Sequence, residues 1–191
     1  MENSAFVIEG SRLVKCTDPD LEEIIVPEGI TEIGERAFQN GWMTAVRLPE
    51  GLREIAPAAF EYCSSLARIH LPAPLSEIGN LAFAFCESLA ALELPDTVAE
   101  IGGGAFRGCP LQSLTIPAGV GAIGYEVFSG CRELKHLTFL GAQTQIDPQM
   151  MGYEYRGSQN PLTIHAPSPS AVQTYAMQKT LKKQGVRFES L

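Results

Sequence analysis

Histidine is scarce in this chain: His70, His136 and His165 are the three among 191 residues. None of them has a paired nucleophile or an orienting acid in the pattern, so nucleophilic and acid–base catalysis have little to work with. Phosphate-loop, metal-protease and serine-elbow motifs are also missing. The sequence therefore predicts no enzyme and no cofactor or metal. Positive charge is short as well, with 14 Lys and Arg against 22 Asp and Glu and a formal net charge of −8. That balance argues against nucleic acid, whose phosphates demand a basic face, and against an anionic membrane surface. No stretch approaches the roughly 20 apolar residues of a membrane span, so no membrane insertion is expected. The segment Met1-Glu2-Asn3-Ser4-Ala5-Phe6 has no basic stretch followed by an apolar run. This predicts a protein that stays inside the cell, or one whose leader has been removed. Five cysteines is an odd number, which fits a reducing interior better than a disulfide framework.

What is present is an ordinary folded composition, 45% apolar and 19% charged, in a length suited to one domain. Written in coils, the chain repeats. One coil reads Leu66, Ile69, Leu71-Pro72, Leu75, Ile78-Gly79, Ala82-Phe83, Cys86; the next reads Leu89, Leu92, Leu94-Pro95, Val98, Ile101-Gly102, Ala105-Phe106, Cys109. Phe38, Phe60, Phe83, Phe106 and Phe128 are separated by 22, 23, 23 and 22 residues, and Pro27, Pro49, Pro72, Pro95 and Pro117 keep the same step. Several markers in phase over five coils identify a repeat architecture.

Apolar residues two apart before each proline, such as Ile69 and Leu71, read as a strand. Proline has no N–H and ends that strand at a fixed point. The Ile-Gly step reads as a permissive backbone where the coil bends. The Ala-Phe stretch predicts a short helical or 3₁₀ turn with its ring inserted between coils. No coil buries its own apolar side, so neighbours must stack into one core. At the N-terminus, Phe6-Val7-Ile8 and Leu13-Val14-Lys15 joined through Gly10-Ser11 predict a hairpin over the first coil. At the other end, an irregular polar segment from Gly152 to Asn160 precedes a last strand at Leu162-Thr163-Ile164. A helix from about Ser170 to Lys183 follows, laying Val172, Tyr175 and Ala176 on the final coil with Lys179, Lys182 and Lys183 toward water.

The pattern Leu-x-x-Ile-x-Leu-Pro followed by Ile-Gly-x-x-Ala-Phe-x-x-Cys resembles the BspA-like (Treponema-type) leucine-rich repeats over residues 21–140. The resemblance implies an α/β, right-handed leucine-rich-repeat solenoid of about six to seven coils, strand-rich with short helical turns and capped at both ends. It implies a single domain: a cap hairpin over 1–20, repeats over 21–140, and an irregular last coil and cap over 141–191. Members of that family are often cell-surface proteins implicated in adhesion. The asparagine ladder of typical leucine-rich repeats is replaced by Gly51, Pro74, Thr97 and Gly119. The signal and anchor of surface members are not visible, so family habit favours the surface and the visible N-terminus the interior.

Four recurring sets of side chains are candidates for function. Cys63, Cys86, Cys109 and Cys131 share one position and read as a buried reduced ladder, because a row of thiols cannot surround zinc tetrahedrally. Cys16 has no evident partner. Glu32, Glu54, Glu77 and Glu100 form an acidic strip, read either as a solvated row or as a docking strip for a basic partner or a weak calcium site. The outward positions of the main strands give one row of Ile25, Arg47, His70, Glu93, Thr115, Thr138 and His165. The flanking row is Glu23, Ala45, Arg68, Ala91, Ser113, His136 and Thr163. A solenoid's concave sheet is its usual binding surface, and arginine is favoured at interface centres. Arg47, Arg68, His70, Glu93, Thr115 and His136 are therefore the expected partner-binding residues, with Arg47, His70 and Glu93 within reach of one another. The irregular segment concentrates Tyr153, Glu154, Tyr155 and Arg156, either as a functional loop or as an accommodation of the cap. The expected function is a monomeric, non-catalytic protein-binding module. The alternatives are a structural spacer of a larger assembly and, last, an enzyme.

Overall fold

The computed structural model describes residues 5–18, 21–152 and 161–191; Tyr153, Glu154, Tyr155 and Arg156 lie outside the described residues. The chain opens with an antiparallel hairpin, β1 (Phe6–Glu9) and β2 (Arg12–Cys16), turned at Gly10 with φ +62°. Coils then alternate a main strand with a two-residue strand: β3 (Glu23–Ile25) and β4 (Glu32–Ile33), β5 (Ala45–Arg47) and β6 (Glu54–Ile55), β7 (Arg68–His70) and β8 (Glu77–Ile78). The next coil contributes only β9 (Glu100–Ile101). It is followed by β10 (Ser113–Ile116), β11 (Ala122–Ile123), β12 (His136–Phe139), β13 (Gln145–Ile146) and β14 (Thr163–Ala166). Two short helices, α1 (Ala171–Ala176) and α2 (Lys179–Lys183), lead to a final strand, β15 (Arg187–Ser190).

The short strands form an eight-stranded sheet ordered β1-β2-β4-β6-β8-β9-β11-β13, parallel beyond the hairpin. The main strands form two parallel sheets, β3-β5-β7 and β10-β12-β14-β15, because residues 90–94 make no strand between β7 and β10. Both kinds of sheet line one core. Ile24, Val46 and Leu114 from the main strands and Ile33, Ile55, Ile78 and Ile101 from the short strands all belong to it.

The phenylalanine markers run through that core as a column. The rings of Phe38 and Phe60 stack at 5.0 Å, Phe60 and Phe83 at 5.3 Å, Phe83 and Phe106 at 6.0 Å, and Phe106 and Phe128 at 6.2 Å. Burying each ring contributes roughly 1.5–3 kcal/mol, with stacking in addition. The backbone carrying the rings is not the expected helical or 3₁₀ turn. Residues two before and two after each phenylalanine are left-handed, as at Ala58 (φ 56°) and Tyr62 (φ 60°) around Phe60. This alternation aims N–H groups along the solenoid axis, so Phe38 donates to the Ala59 carbonyl and Phe60 to the Ala82 carbonyl, both at 2.8 Å. A helix would have spent those donors inside its own coil.

In four of the five coils glycine follows the turn isoleucine, with Ala56 the exception after Ile55, and at Gly79 and Gly102 it is required by proximity rather than by φ. A Cβ on Gly79 would lie 2.6 Å from the Pro57 nitrogen, and one on Gly102 would lie 2.5 Å from the Asn80 nitrogen. The last helix is likewise corrected. Ser170 caps α1 by accepting from the Gln173 N–H, but the helix ends at Met177 and restarts as α2. Val172, Tyr175 and Ala176 are buried as expected, and Lys182 and Lys183 are exposed; the side chain of Lys179 lies outside the described residues. The strand at Leu162 is not the last, since β15 pairs with β14 beyond the helices.

Candidate binding surface

Strand alternation turns Ile24, Val46 and Ile69 toward the core and lifts their neighbours outward. Ile25 pairs with Arg47 and Arg47 with His70, so these three form one row across β3, β5 and β7. Glu23, Ala45 and Arg68 form the row beside it. The small Ala45 lets Arg68 reach over to Glu23, Nη2 to Oε1 at 3.1 Å. Both partners are more than 70% exposed, so this pair orients side chains more than it stabilises the fold. Ile25, 69% exposed, is a large apolar residue standing free on this face. The segment Ala91–Leu94 forms no ladder with β7, so Glu93 and Ala91 have no register partners in the two rows.

The second main sheet restores both rows. Thr115, Thr138, His165 and Glu189 align in one, and Ser113, His136, Thr163 and Arg187 in the other. Here two of the three histidines meet. Their rings stack with centroids 5.6 Å apart, and Nδ1 of His136 is 3.3 Å from Nε2 of His165. Nδ1 of His165 is 3.3 Å from Oε2 of Glu189, so this histidine has the orienting acid that the sequence did not reveal. The acid escaped notice because β15 lies beyond the last recognisable repeat. Its only sequence trace is the alternation of Val186 and Phe188.

On the eight-stranded sheet the acidic strip assembles as expected. Glu32, Glu54, Glu77 and Glu100 are consecutive register partners, and Ala122 continues the row without charge. Arg12 on the hairpin neutralises one end, its Nε 2.9 Å from Oε1 of Glu32. Partial burial, reinforced by Glu32 and Glu77 on either side, pushes the Glu54 carboxyl above its ordinary range, with Arg12 opposing. Beyond Glu77 and Glu100 the strip opens into a groove of about 580 Å³ floored by Gly79, Gly102 and Gly103.

The cysteine ladder is explained by hydrogen bonding. Each thiol donates to the carbonyl of the phenylalanine in the preceding coil: Cys63 to Phe38, Cys86 to Phe60, Cys109 to Phe83 and Cys131 to Phe106, at 3.0–3.2 Å. All four are buried and free, and desolvation pushes the Cys63 thiol up to about 12. Cys16, half-buried, points its thiol at the Asp18 carbonyl and lines a cavity of about 360 Å³ beside Arg36 and Trp42.

A further feature, absent from the sequence reading, lies two residues beyond the phenylalanine markers. Tyr62 and Phe85 stack there at 4.8 Å, and the Arg107 guanidinium sits 5.7 Å over Phe85 while bridging to Glu126 at 2.7 Å. Other coils put Asn40, Gly108 and Gly130 at this left-handed position. Among the described residues, no group of three or more His, Cys, Asp or Glu side chains could hold a metal ion, and no helix is long and apolar enough to cross a membrane.

Known structures share this architecture. A leucine-rich repeat protein from Bacteroides ovatus matches all of this chain and 64% of its own, with 22% identity and a TM-score of 0.60. The pneumococcal vaccine antigen PcpA matches 97% of this chain and 45% of its own, with 21% identity and a TM-score of 0.72. The Treponema pallidum leucine-rich repeat protein matches 93% of this chain and 89% of its own, with 26% identity and a TM-score of 0.58. The chain thus spans less than two thirds of the Bacteroides and pneumococcal proteins. No curated protein matches it. Six copies of the BspA type leucine rich repeat region match over residues 14–135 and 53–156. With most of its length accounted for by that repeat, the chain belongs to the BspA-type leucine-rich repeat family.

Proposed function

We propose that this chain is a non-catalytic protein-binding module whose partner lies against the outward face of the main strands. The observation that carries this reading is the in-register row Ile25-Arg47-His70, with Arg68 beside it, on a backbone fixed by parallel pairing. An exposed isoleucine flanked by two arginines combines an apolar anchor with directional donors, the residue chemistry favoured at interface centres. Rigid presentation lowers the ordering cost of binding. The non-catalytic part rests on the repeat family and on the histidine pair, which engages itself and Glu189 rather than a hydroxyl or thiol.

The test is affinity capture from the source organism's own lysate and from host matrix proteins, with wild type beside an Ile25→Glu, Arg47→Glu, Arg68→Glu variant. A partner held by wild type and lost by the variant supports the reading. Equal capture by both moves the interface off this face. A second reading is a structural spacer, favoured by the fact that the chain corresponds to only 64% and 45% of two longer relatives. No specific partner in either source favours the spacer.

A further inference from the structure

His136 and His165 lie on neighbouring parallel strands, offset by two residues. His136 is the register partner of Thr163, and His165 of Thr138. Both imidazoles rise from the same face. The Glu189 Oε2 lies 3.3 Å from Nδ1 of His165, and a carboxylate beside that nitrogen favours the tautomer that leaves a lone pair on Nε2. That lone pair faces Nδ1 of His136 across 3.3 Å. The gap is long beside the usual N–H hydrogen bond of about 2.9–3.0 Å. It matches two imidazole nitrogens bound to one ion: bonds of about 2.0–2.1 Å at a tetrahedral angle put them about 3.3–3.4 Å apart.

We propose that His136 and His165 form an open, two-imidazole site for a divalent transition ion of the zinc class. Glu189 acts as a positioning residue behind His165. A carboxylate that takes the far N–H of a ligating histidine fixes its tautomer and raises its basicity. The neighbouring side chains leave room for water to complete the coordination. Ser113, Thr115 and Thr138 are short, and His136 is exposed while His165 keeps 22% of its side chain in contact with solvent. Imidazole donors select zinc, nickel or copper over magnesium and calcium. Arg187, in register with His136 across Thr163, is the cation on this face that opposes the ion. Glu189 on the same strand offsets it. The site is independent of the Arg47 row and adds a different chemistry to the other half of the main-strand face.

Calorimetric titration of the full chain with zinc chloride tests this, in a Cys16→Ser background that removes the half-buried thiol. The expected result is one zinc per chain with micromolar affinity at pH 7.4, and no magnesium binding. His136→Ala and His165→Ala should each abolish it, Glu189→Gln should weaken it about tenfold, and His70→Ala should leave it unchanged. Ring nitrogen NMR shifts at His136 Nδ1 and His165 Nε2 would place the ion. Thermal melts of each variant without zinc separate a folding defect from a lost ligand. Absence of binding at millimolar zinc, or binding that survives both histidine substitutions, overturns the proposal. Unchanged affinity in Glu189→Gln overturns the role given to the carboxylate.

Discussion

The thiol of Cys86 donates to the backbone carbonyl of Phe60 at 3.2 Å, across the gap between successive coils. Replacing Cys86 with alanine removes the donor and opens a small void. The expected loss is about 1–3 kcal/mol of stability, read as a lower denaturation midpoint. Because Cys63, Cys86, Cys109 and Cys131 are all buried, native protein at pH 8 should present only Cys16 to a thiol reagent, against five thiols in denaturant. Rapid modification of more than one thiol in the native state would contradict the packing.

The phenylalanine column makes a sharper demand. Phe83 is fully buried between Phe60 and Phe106, so Phe83→Ala should cost about 3–5 kcal/mol. Phe128 lies at the end of the column and stacks on Phe106 alone among the ring pairs described. Phe128→Ala should therefore cost less, measured by urea denaturation of both variants.

Gly79→Ala and Gly121→Ala separate the two uses of glycine. A methyl on Gly79 meets the Pro57 nitrogen at 2.6 Å, whereas one on Gly121 meets nothing within 4 Å. The first change should destabilise by about 1–3 kcal/mol through overpacking against rigid backbone. The second should be neutral or mildly stabilising. Equal melting temperatures for the two variants would refute the close approach of the coils.

Glu54 supplies a dependence on pH. Its folded pKa is raised, first by burial and then by Glu32 and Glu77, so ionising it opposes folding. That opposition is absent below the ordinary value near 4.5 and grows as pH rises through the raised one. Glu54→Gln should therefore raise the melting temperature at pH 7 and leave it nearly unchanged at pH 4. The same variant combined with Glu77→Gln tests the acidic strip as a docking surface, through weaker and less salt-sensitive partner binding.

The period made much of this legible. A 22–23-residue step put Ile78 over Ile55 and Glu77 over Glu54, because stacked coils must repeat their registers to bury a shared core. Local conformation was less legible. The Ala-Phe stretch has the composition of a helical turn, yet its donors serve the next coil, and that choice depends on a neighbour far away in sequence. Ala90-Ala91-Leu92-Glu93-Leu94 keeps the repeat's spacing but forms no ladder. It lacks the β-branched residues of Ser113-Leu114-Thr115-Ile116, and alanine, leucine and glutamate favour helix over strand. The rows put His136 and His165 on adjoining strands but did not show their contact, which depends on rotamers, and the acid lies in an unrecognised strand.

The missing strand at residues 90–94 has a mechanical meaning. Elsewhere successive coils are tied along the main strands, the short strands and the phenylalanine turns. At this coil no ladder forms and the first tie is reduced to Gln112 donating to the Ala90 carbonyl at 3.3 Å, while Gly102 still donates to Ile78 and Phe83 to Ala105. A rod pulled from its ends yields where its cross-links are fewest. Under tension this solenoid should part there first, into a half carrying the arginine row and a half carrying the histidine pair, each extending as its own elastic segment.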